Sequence, residues 1–118
     1  MAASIDPQAR LDLANETLRN YGEIKPDFPP KMVRRLKRKF RCSLDSAEIL
    51  SQAQYFKEIY KSGASIIWNF ITPNGEYARL ANVRLEGFES ALAEKYPDED
   101  KAIIKAACDW LIYYEYLR

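Results

Sequence analysis

The chain has 118 residues, of which 47% are hydrophobic and 30% are charged, a balance typical of a folded globular protein. This length predicts one domain over residues 1–118. The sequence contains no histidine, which excludes an imidazole base and imidazole metal ligands. Its two cysteines are too few for a disulfide framework and indicate a reducing, cytoplasmic compartment. We expect no membrane segment, because the apolar runs are too short to span a bilayer.

The net charge of +1 hides a strongly basic segment at residues 31–41. This segment holds seven of the 18 bases and none of the 17 acids, so the remaining residues carry 11 bases against 17 acids. A basic segment on an otherwise acidic chain is a candidate docking surface for a polyanion or for an acidic protein.

The first helix signals are Asp6, which suits the N-cap, and Pro7, which suits the first helical position. Gly22 suits the position just after a helix end, so we expect the first helix between these points. The three prolines of the stretch GEIKPDFPP then predict a stiff, extended connector before the next helix.

The second predicted helix begins near Pro30 and is amphipathic, with its apolar residues on one side at 100° per residue. The opposite side carries a predicted basic stripe, formed by Lys31, Arg34, Arg35, Arg38 and Arg41. Such a stripe can neutralise successive phosphates of a nucleic acid, bind an acidic protein, or serve only as a solvated helix face. The net charge of −6 on the remaining residues favours the acidic protein over nucleic acid.

Asp45 and Glu48 have the spacing of a capping box and predict the start of a third helix, which Gly63 is expected to end. Residues 66–83 are ambiguous, because their β-branched and aromatic side chains and the turn TPNGE also fit a hairpin. We favour a helical extension at 64–71 followed by a helix from about 76 to 95, with a short hairpin at 66–83 as the alternative. Asp98 predicts the cap of a last helix.

The last helix is apolar around most of its circumference, which is typical of a helix at the centre of a bundle or shared with another chain. We therefore expect an all-α, compact bundle of about five helices, whose last helix is partly core and partly an interface with another chain. Tyrosine and tryptophan suit such an interface, because each has an apolar body and a polar tip. The predicted interface residues are Trp110, Ile112, Tyr113, Tyr116 and Leu117.

Three stretches in the second half carry a family resemblance: AEILSQAQYFKEIYKSGASIIWNF, TPNGEYA and AACDWLIYYEYLR. They resemble the phycobiliproteins, the bilin-carrying antenna proteins of cyanobacteria and red algae, and especially the allophycocyanin branch. The resemblance implies a bilin thioether at Cys108. The arginine and aspartate that follow this cysteine in the family, and that hold the bilin, are replaced here by Trp110 and Leu111.

These patterns lead to one leading hypothesis of function and two alternatives. The leading hypothesis is a non-catalytic helical interaction or assembly module without a cofactor, which is a homo-oligomer or a subunit of a larger complex. Its basic stripe would be a second docking surface, for an acidic protein. The first alternative is a small nucleic-acid-binding protein that uses the basic helix 31–41. The second, implied by the resemblance alone, is a phycobiliprotein-like antenna or antenna-associated protein. No catalytic or metal-binding residue is predicted.

Overall fold

The fold is all-α, as predicted, in a computed structural model that describes residues 5–71 and 83–117. A 3₁₀ turn at Ile67–Phe70 continues the third helix, and a π-helical turn at Tyr113–Leu117 continues the fifth. Among the described residues there is no strand, only a single antiparallel bridge. The five helices are α1 (Pro7–Leu18), α2 (Phe28–Phe40), α3 (Ser46–Ile66), α4 (Leu85–Lys95) and α5 (Lys101–Ile112).

The chain forms two compact units, residues 1–57 and residues 58–118. The first unit contains α1, α2 and the N-terminal part of α3. The second contains the rest of α3 together with α4 and α5. The single domain over residues 1–118 stays a prediction.

In the first unit, the caps that the sequence predicts are present. The Asp6 carboxylate accepts a hydrogen bond of 2.8 Å from the backbone N–H of Gln8 and so caps α1. Asp45 and Glu48 form the predicted capping box, in which each side chain accepts from the other residue's backbone N–H, at 2.8 and 3.2 Å. Helix α1 packs against α2. Their fully or almost fully buried side chains include Leu13, Leu18, Met32 and Leu36.

In the second unit, α4 packs against α5 and against the 3₁₀ turn. Gly63 does not end α3, as the sequence suggested, but lies inside it. A Cβ atom at Gly63 would overlap the side chain of Leu111, which is fully buried. This glycine is therefore needed for a close approach of α3 and α5, which a sequence pattern within one helix does not reveal.

The region between α3 and α4 corrects part of the prediction. The helical extension at 64–71 is confirmed up to Phe70. The helix expected from about 76 is wrong at residues 83 and 84, because Val83 bridges to Ile71 and the Arg84 N–H donates to the Phe70 carbonyl at 2.8 Å. The TPNGE turn of the alternative hairpin lies within residues 72–82, outside the described residues.

The start of the last helix also differs from the prediction. Asp100, rather than Asp98, caps α5, because its carboxylate accepts a hydrogen bond of 2.9 Å from the Ala102 N–H. Both aspartates are N-cap residues by type, so the sequence alone does not decide between positions only two residues apart.

Candidate interaction surfaces

Helix α2 has a buried side and a charged side because its apolar residues recur at helical spacing. Pro29 and Pro30 suit its first turn, where backbone N–H groups have no intrahelical partner. Met32 and Leu36 are buried in the first unit. The charged side points away from them, so the side chains that are open to a partner belong to the cations.

Arg35 belongs to the predicted basic stripe, but its side chain is bound inside the first unit. Its guanidinium donates two hydrogen bonds to the Asp12 carboxylate, from Nε at 2.7 Å and from Nη2 at 2.9 Å. Its Nη1 also lies 3.5 Å from Glu16. The hydrogen bond that Arg35 donates to Asp12 raises the pKa of Arg35. Arg35 therefore joins α2 to α1, and its role in partner binding stays a prediction.

Lys31 is also paired, although its side chain stays exposed. Its ammonium nitrogen lies 2.8 Å from the carboxylate of Asp27, one helical turn earlier. This hydrogen bond lowers the pKa of Asp27. Because water screens an exposed pair, Lys31 can exchange this partner for another at little cost.

Five cations of α2 and its C-terminus remain exposed and form no ion pair within the described part of the chain. Lys39 lies over the Phe40 ring at 5.6 Å, away from the other four. These four lie at positions i, i+3, i+4 and i+7 and therefore share about 100° of the helix circumference. Lys37 was missing from the predicted stripe, although the same spacing rule places it there. We call this set the cation face: Arg34, Lys37, Arg38 and Arg41.

Arg41 ends α2 with a left-handed backbone, at φ 52° and ψ 33°. Its N–H donates to the Lys37 carbonyl at 3.1 Å, and the N–H of Cys42 donates to the Leu36 carbonyl at 3.2 Å. This hydrogen-bond pattern satisfies the last carbonyls of a helix and usually has glycine at the left-handed position. An arginine there is strained, because its Cβ approaches the following carbonyl oxygen.

Two of the five residues of the predicted interface are buried within the second unit. Ile112 and Tyr116 are only 3% and 0% exposed. Tyr116 packs edge-on against Trp68, with ring centroids 5.8 Å apart. The reason is the π-helical turn: each residue advances by less than 100° around the axis, which rotates Tyr116 from the predicted outer side into the core.

The remaining aromatic residues form a group at the end of α5, which we call the aromatic cluster: Trp110, Tyr113 and Tyr114. Trp110 stacks on Tyr114 at a centroid distance of 5.6 Å, and Tyr113 meets both rings edge-on, at 6.3 and 5.2 Å. Tyr113 is 49% exposed, and the other two are half-buried. Leu117, also half-buried, completes the part of the predicted interface that is not in the core.

The charged side chains next to the aromatic cluster are bound within the second unit. Lys105 lies 3.2 Å from Asp109 across one helical turn. Glu115 accepts a hydrogen bond of 2.9 Å from the Tyr60 hydroxyl. Burial and the Glu115 carboxylate raise the pKa of Tyr60, so this hydroxyl keeps its proton. Among the described neighbours of the aromatic cluster, Glu115 is therefore held by a part-buried hydrogen bond, and Lys105 and Asp109 form an exposed pair that water screens.

Cys108, the residue to which the family resemblance assigns a bilin, is fully buried, and both cysteines are free thiols. Burial, together with the charges of Glu89 and Asp109, raises the pKa of the Cys108 thiol to about 12. The thiolate is the nucleophilic form of cysteine, so this environment makes Cys108 unreactive. Attachment of a bilin would require its sulfur to leave the core.

Two other kinds of site would need a group of metal ligands or a membrane-spanning helix among the described residues. No group of three or more acidic, cysteine or histidine side chains is placed to hold a metal ion there. None of the helices in that part of the chain combines the length and the hydropathy needed to cross a membrane.

In comparisons with known proteins, no family model, curated protein or solved structure matches the chain. The resemblance to phycobiliproteins stays a prediction.

Proposed function

We propose that this protein is a non-catalytic helical interaction module that associates with a second copy of itself through the aromatic cluster. One observation carries the proposal: Tyr113 is 49% exposed and packs edge-on against the stacked rings of Trp110 and Tyr114. Tyrosine and tryptophan are enriched at protein interfaces, where they dominate the binding energy. Rings that already stack on one another also lose little side-chain freedom on binding.

A second copy fits this surface better than a charged partner does. Two copies related by a two-fold axis would place one aromatic cluster against the other. Lys105 lies beside Asp109, and the Glu115 carboxylate accepts a hydrogen bond from Tyr60, so both side chains already have a partner within the unit. The tyrosine hydroxyls can remain in water at the rim or exchange hydrogen bonds across the axis.

The strength of this association follows from the small size of the cluster. Each aromatic side chain can bury roughly 150–250 Å², and part of that area is already buried within the chain. The remaining area is well below the roughly 800 Å² per partner of a standard interface. We therefore expect a dissociation constant on the order of 100 µM.

A catalytic role is not proposed, since the sequence provides no imidazole base and no motif for a nucleophile or a phosphate. No cofactor is proposed either, because Cys108 would have to leave the core to carry a bilin. An absorption spectrum of the purified protein tests this second point, and a bilin band would contradict it. A cytoplasmic location remains a prediction.

Sedimentation velocity between about 5 and 500 µM tests the association, a range that brackets the expected constant. We expect the wild type to shift from monomer to dimer, and Tyr113→Glu to stay monomeric with unchanged helical content. Tyr55→Glu is the matched control, because Tyr55 is a 38%-exposed tyrosine outside the cluster. A wild type that stays monomeric at the highest concentration, or an equal effect of both substitutions, would contradict the proposal.

A further inference from the structure

We infer that the cation face of α2 is a docking site for a short acidic segment of another protein, with carboxylates along one side of a helix. This inference goes beyond the proposed self-association and depends on different residues. The expected ligand is an acidic polypeptide, rather than nucleic acid or a second copy of the chain.

The first argument is that these cations are available. Where the first unit uses a cation for its own stability, it supplies a carboxylate, as Asp12 does for Arg35. Of the 17 acids in the sequence, none among the described residues pairs with the cation face. The helix dipole explains cations in the last turn, such as Lys37 and Arg38. It does not explain Arg34, which lies a turn earlier.

The second argument is the spacing of the charges. From Arg34 to Arg41 the cation face extends about 10 Å, at 1.5 Å per helical residue. Two turns of a partner helix with carboxylates at i, i+3, i+4 and i+7 have the same length and the same narrow width. Three of the four cations are arginines, whose planar guanidinium binds a carboxylate through two parallel hydrogen bonds.

The carboxylates beyond the cation face favour a short acidic segment over nucleic acid as its partner. Carboxylates lie at both ends of the cation face. Asp27 precedes α2 as its N-cap, and a cleft beside Arg41 is also lined by Asp6 and Glu48. Because Asp27 is already paired with Lys31, the like charge that a long polyanion meets is that of Asp6 and Glu48, where it continues past Arg41. A segment of about two helical turns ends before it reaches these acids, and cations at its own ends would be attracted to them.

The fourth argument is the residue at position 41. The left-handed turn at the end of α2 needs a glycine-like backbone, yet the chain has an arginine there with φ 52°. Strain of this kind persists where the side chain has another use. Here the side chain extends the cation face by one more guanidinium at its C-terminal end.

The test measures fluorescence anisotropy with labelled helical peptides of about 16 residues, because much shorter peptides are only marginally helical in water. One peptide has four glutamates at i, i+3, i+4 and i+7, and the other has the same composition with the glutamates spread around the helix. Random single-stranded and duplex DNA of matched charge are the polyanion probes. The variant is Arg34→Gln with Arg38→Gln, and its control is Lys61→Gln with Lys101→Gln, two exposed lysines of the second unit.

We expect the one-sided peptide to bind more tightly than the spread peptide, and its affinity to fall as salt is added. The double arginine variant should lose about tenfold in affinity, since each exposed guanidinium–carboxylate contact contributes roughly two- to fivefold. The lysine control should stay within about twofold. Tyr113→Glu should bind the one-sided peptide as the wild type does, which separates this inference from the proposed self-association.

Four outcomes would overturn the inference. They are equal affinity for the two peptides, an equal loss in the lysine control, no binding of the one-sided peptide at about 1 mM, and tighter binding of either DNA probe. In the last case the log-affinity should fall against log-salt with a slope of about −3.6 for four phosphates of a duplex, which identifies nucleic acid as the occupant. Self-association that is lost with Arg34→Gln and Arg38→Gln, but kept in Tyr113→Glu, would identify a second copy instead.

Discussion

Helices α2 and α5 each have one side in a core and one side in solvent, but their outer sides differ in chemistry. On α2 the outer side carries the cation face, which has no ion-pair partner in the part of the chain that the structure describes, while Arg35 at its edge is bound to Asp12. On α5 the outer side consists of aromatic rings, while the charged neighbours Asp109 and Glu115 are bound within the unit. One surface can therefore attract a charged partner, and the other can exclude water from an apolar contact.

This difference gives the two surfaces different responses to salt. Attraction between exposed charges weakens as ionic strength rises, because the Debye length falls from about 10 Å at 0.1 M to about 3 Å at 1 M. Contact between aromatic rings depends on the area removed from water and does not weaken in the same way. Binding through the cation face should therefore be lost in high salt, while association through the aromatic cluster should persist.

The largest expected effect separates the two sides of α5. Tyr116→Ala should lower the free energy of unfolding by about 3–5 kcal/mol, because it removes a fully buried ring that packs against Trp68. Tyr113→Ala should lower it by only about 0.5–1 kcal/mol, because a half-exposed ring loses ring contacts but leaves no internal cavity. Chemical denaturation of dilute protein measures both. Similar losses for the two tyrosines would show that the π-helical turn does not place them as described.

Tyr116 also shows where sequence reasoning reaches its limit. The period of 100° per residue correctly predicted helices α1 to α3 and α5 and the two sides of α2, because α2 is regular to its last residue. The same period predicted Tyr116 on the outer side of the last helix, because no local sequence pattern indicated the π-helical turn at Tyr113–Leu117. A change of winding near a helix end depends on what the side chains meet in the fold, which a pattern within one helix does not contain.

The contacts of Arg35 and Gly63 were not predicted, for a related reason. Each has a partner that is distant in the sequence: Asp12 for Arg35, and Leu111 for Gly63. Arg35 follows the same spacing as the free cations, so periodicity alone could not separate it from them. Capping, by contrast, involves residues only two or three positions apart, which is why the Asp45 capping box could be predicted.

The next largest effect tests whether Arg35 stabilises the fold while the exposed Arg34 does not. Arg35→Gln should lower the free energy of unfolding by about 1–2 kcal/mol, because it leaves the half-buried Asp12 carboxylate without its two charged hydrogen bonds. Arg34→Gln should change it by less than about 0.5 kcal/mol, because Arg34 is exposed and unpaired among the described residues. Urea denaturation measures both. An equal effect of the two substitutions would mean that Arg35 is no more structural than its neighbours.

A smaller effect concerns the buried side of α5 and depends on pH. The pKa of Cys108 rises from an ordinary 9.0 to about 12 in the folded chain, so folding favours the protonated thiol. Its contribution to stability is therefore complete below pH 9.0 and is lost as the pH rises toward 12. Between about pH 8 and pH 10 the wild type should lose roughly 1 kcal/mol more than Cys108→Ala does.

Thiol labelling provides an independent check on this placement. In the native protein a thiol reagent should react with the half-buried Cys42 and spare Cys108, while in denaturant both should react. Rapid native labelling of both thiols, or identical pH profiles for the wild type and Cys108→Ala, would show that Cys108 is accessible. The bilin-carrying hypothesis would then regain its structural basis.

The smallest expected effect concerns Arg41, where one substitution should raise the stability of the chain and weaken its binding of an acidic peptide. Arg41→Gly should raise the free energy of unfolding by about 0.5–1 kcal/mol, because relief of the strain at φ 52° exceeds the entropy that glycine adds to the unfolded chain. The same substitution should weaken binding of the one-sided acidic peptide. Arg41→Gln is the matched control, since it removes the charge and keeps the strained backbone, so it should weaken binding without the gain in stability. Thermal unfolding and peptide anisotropy on the same samples measure the pair. If Arg41→Gly stabilised the chain and bound the peptide as tightly as the wild type, the cation face would have to end at Arg38, and position 41 would be no more than a strained helix end.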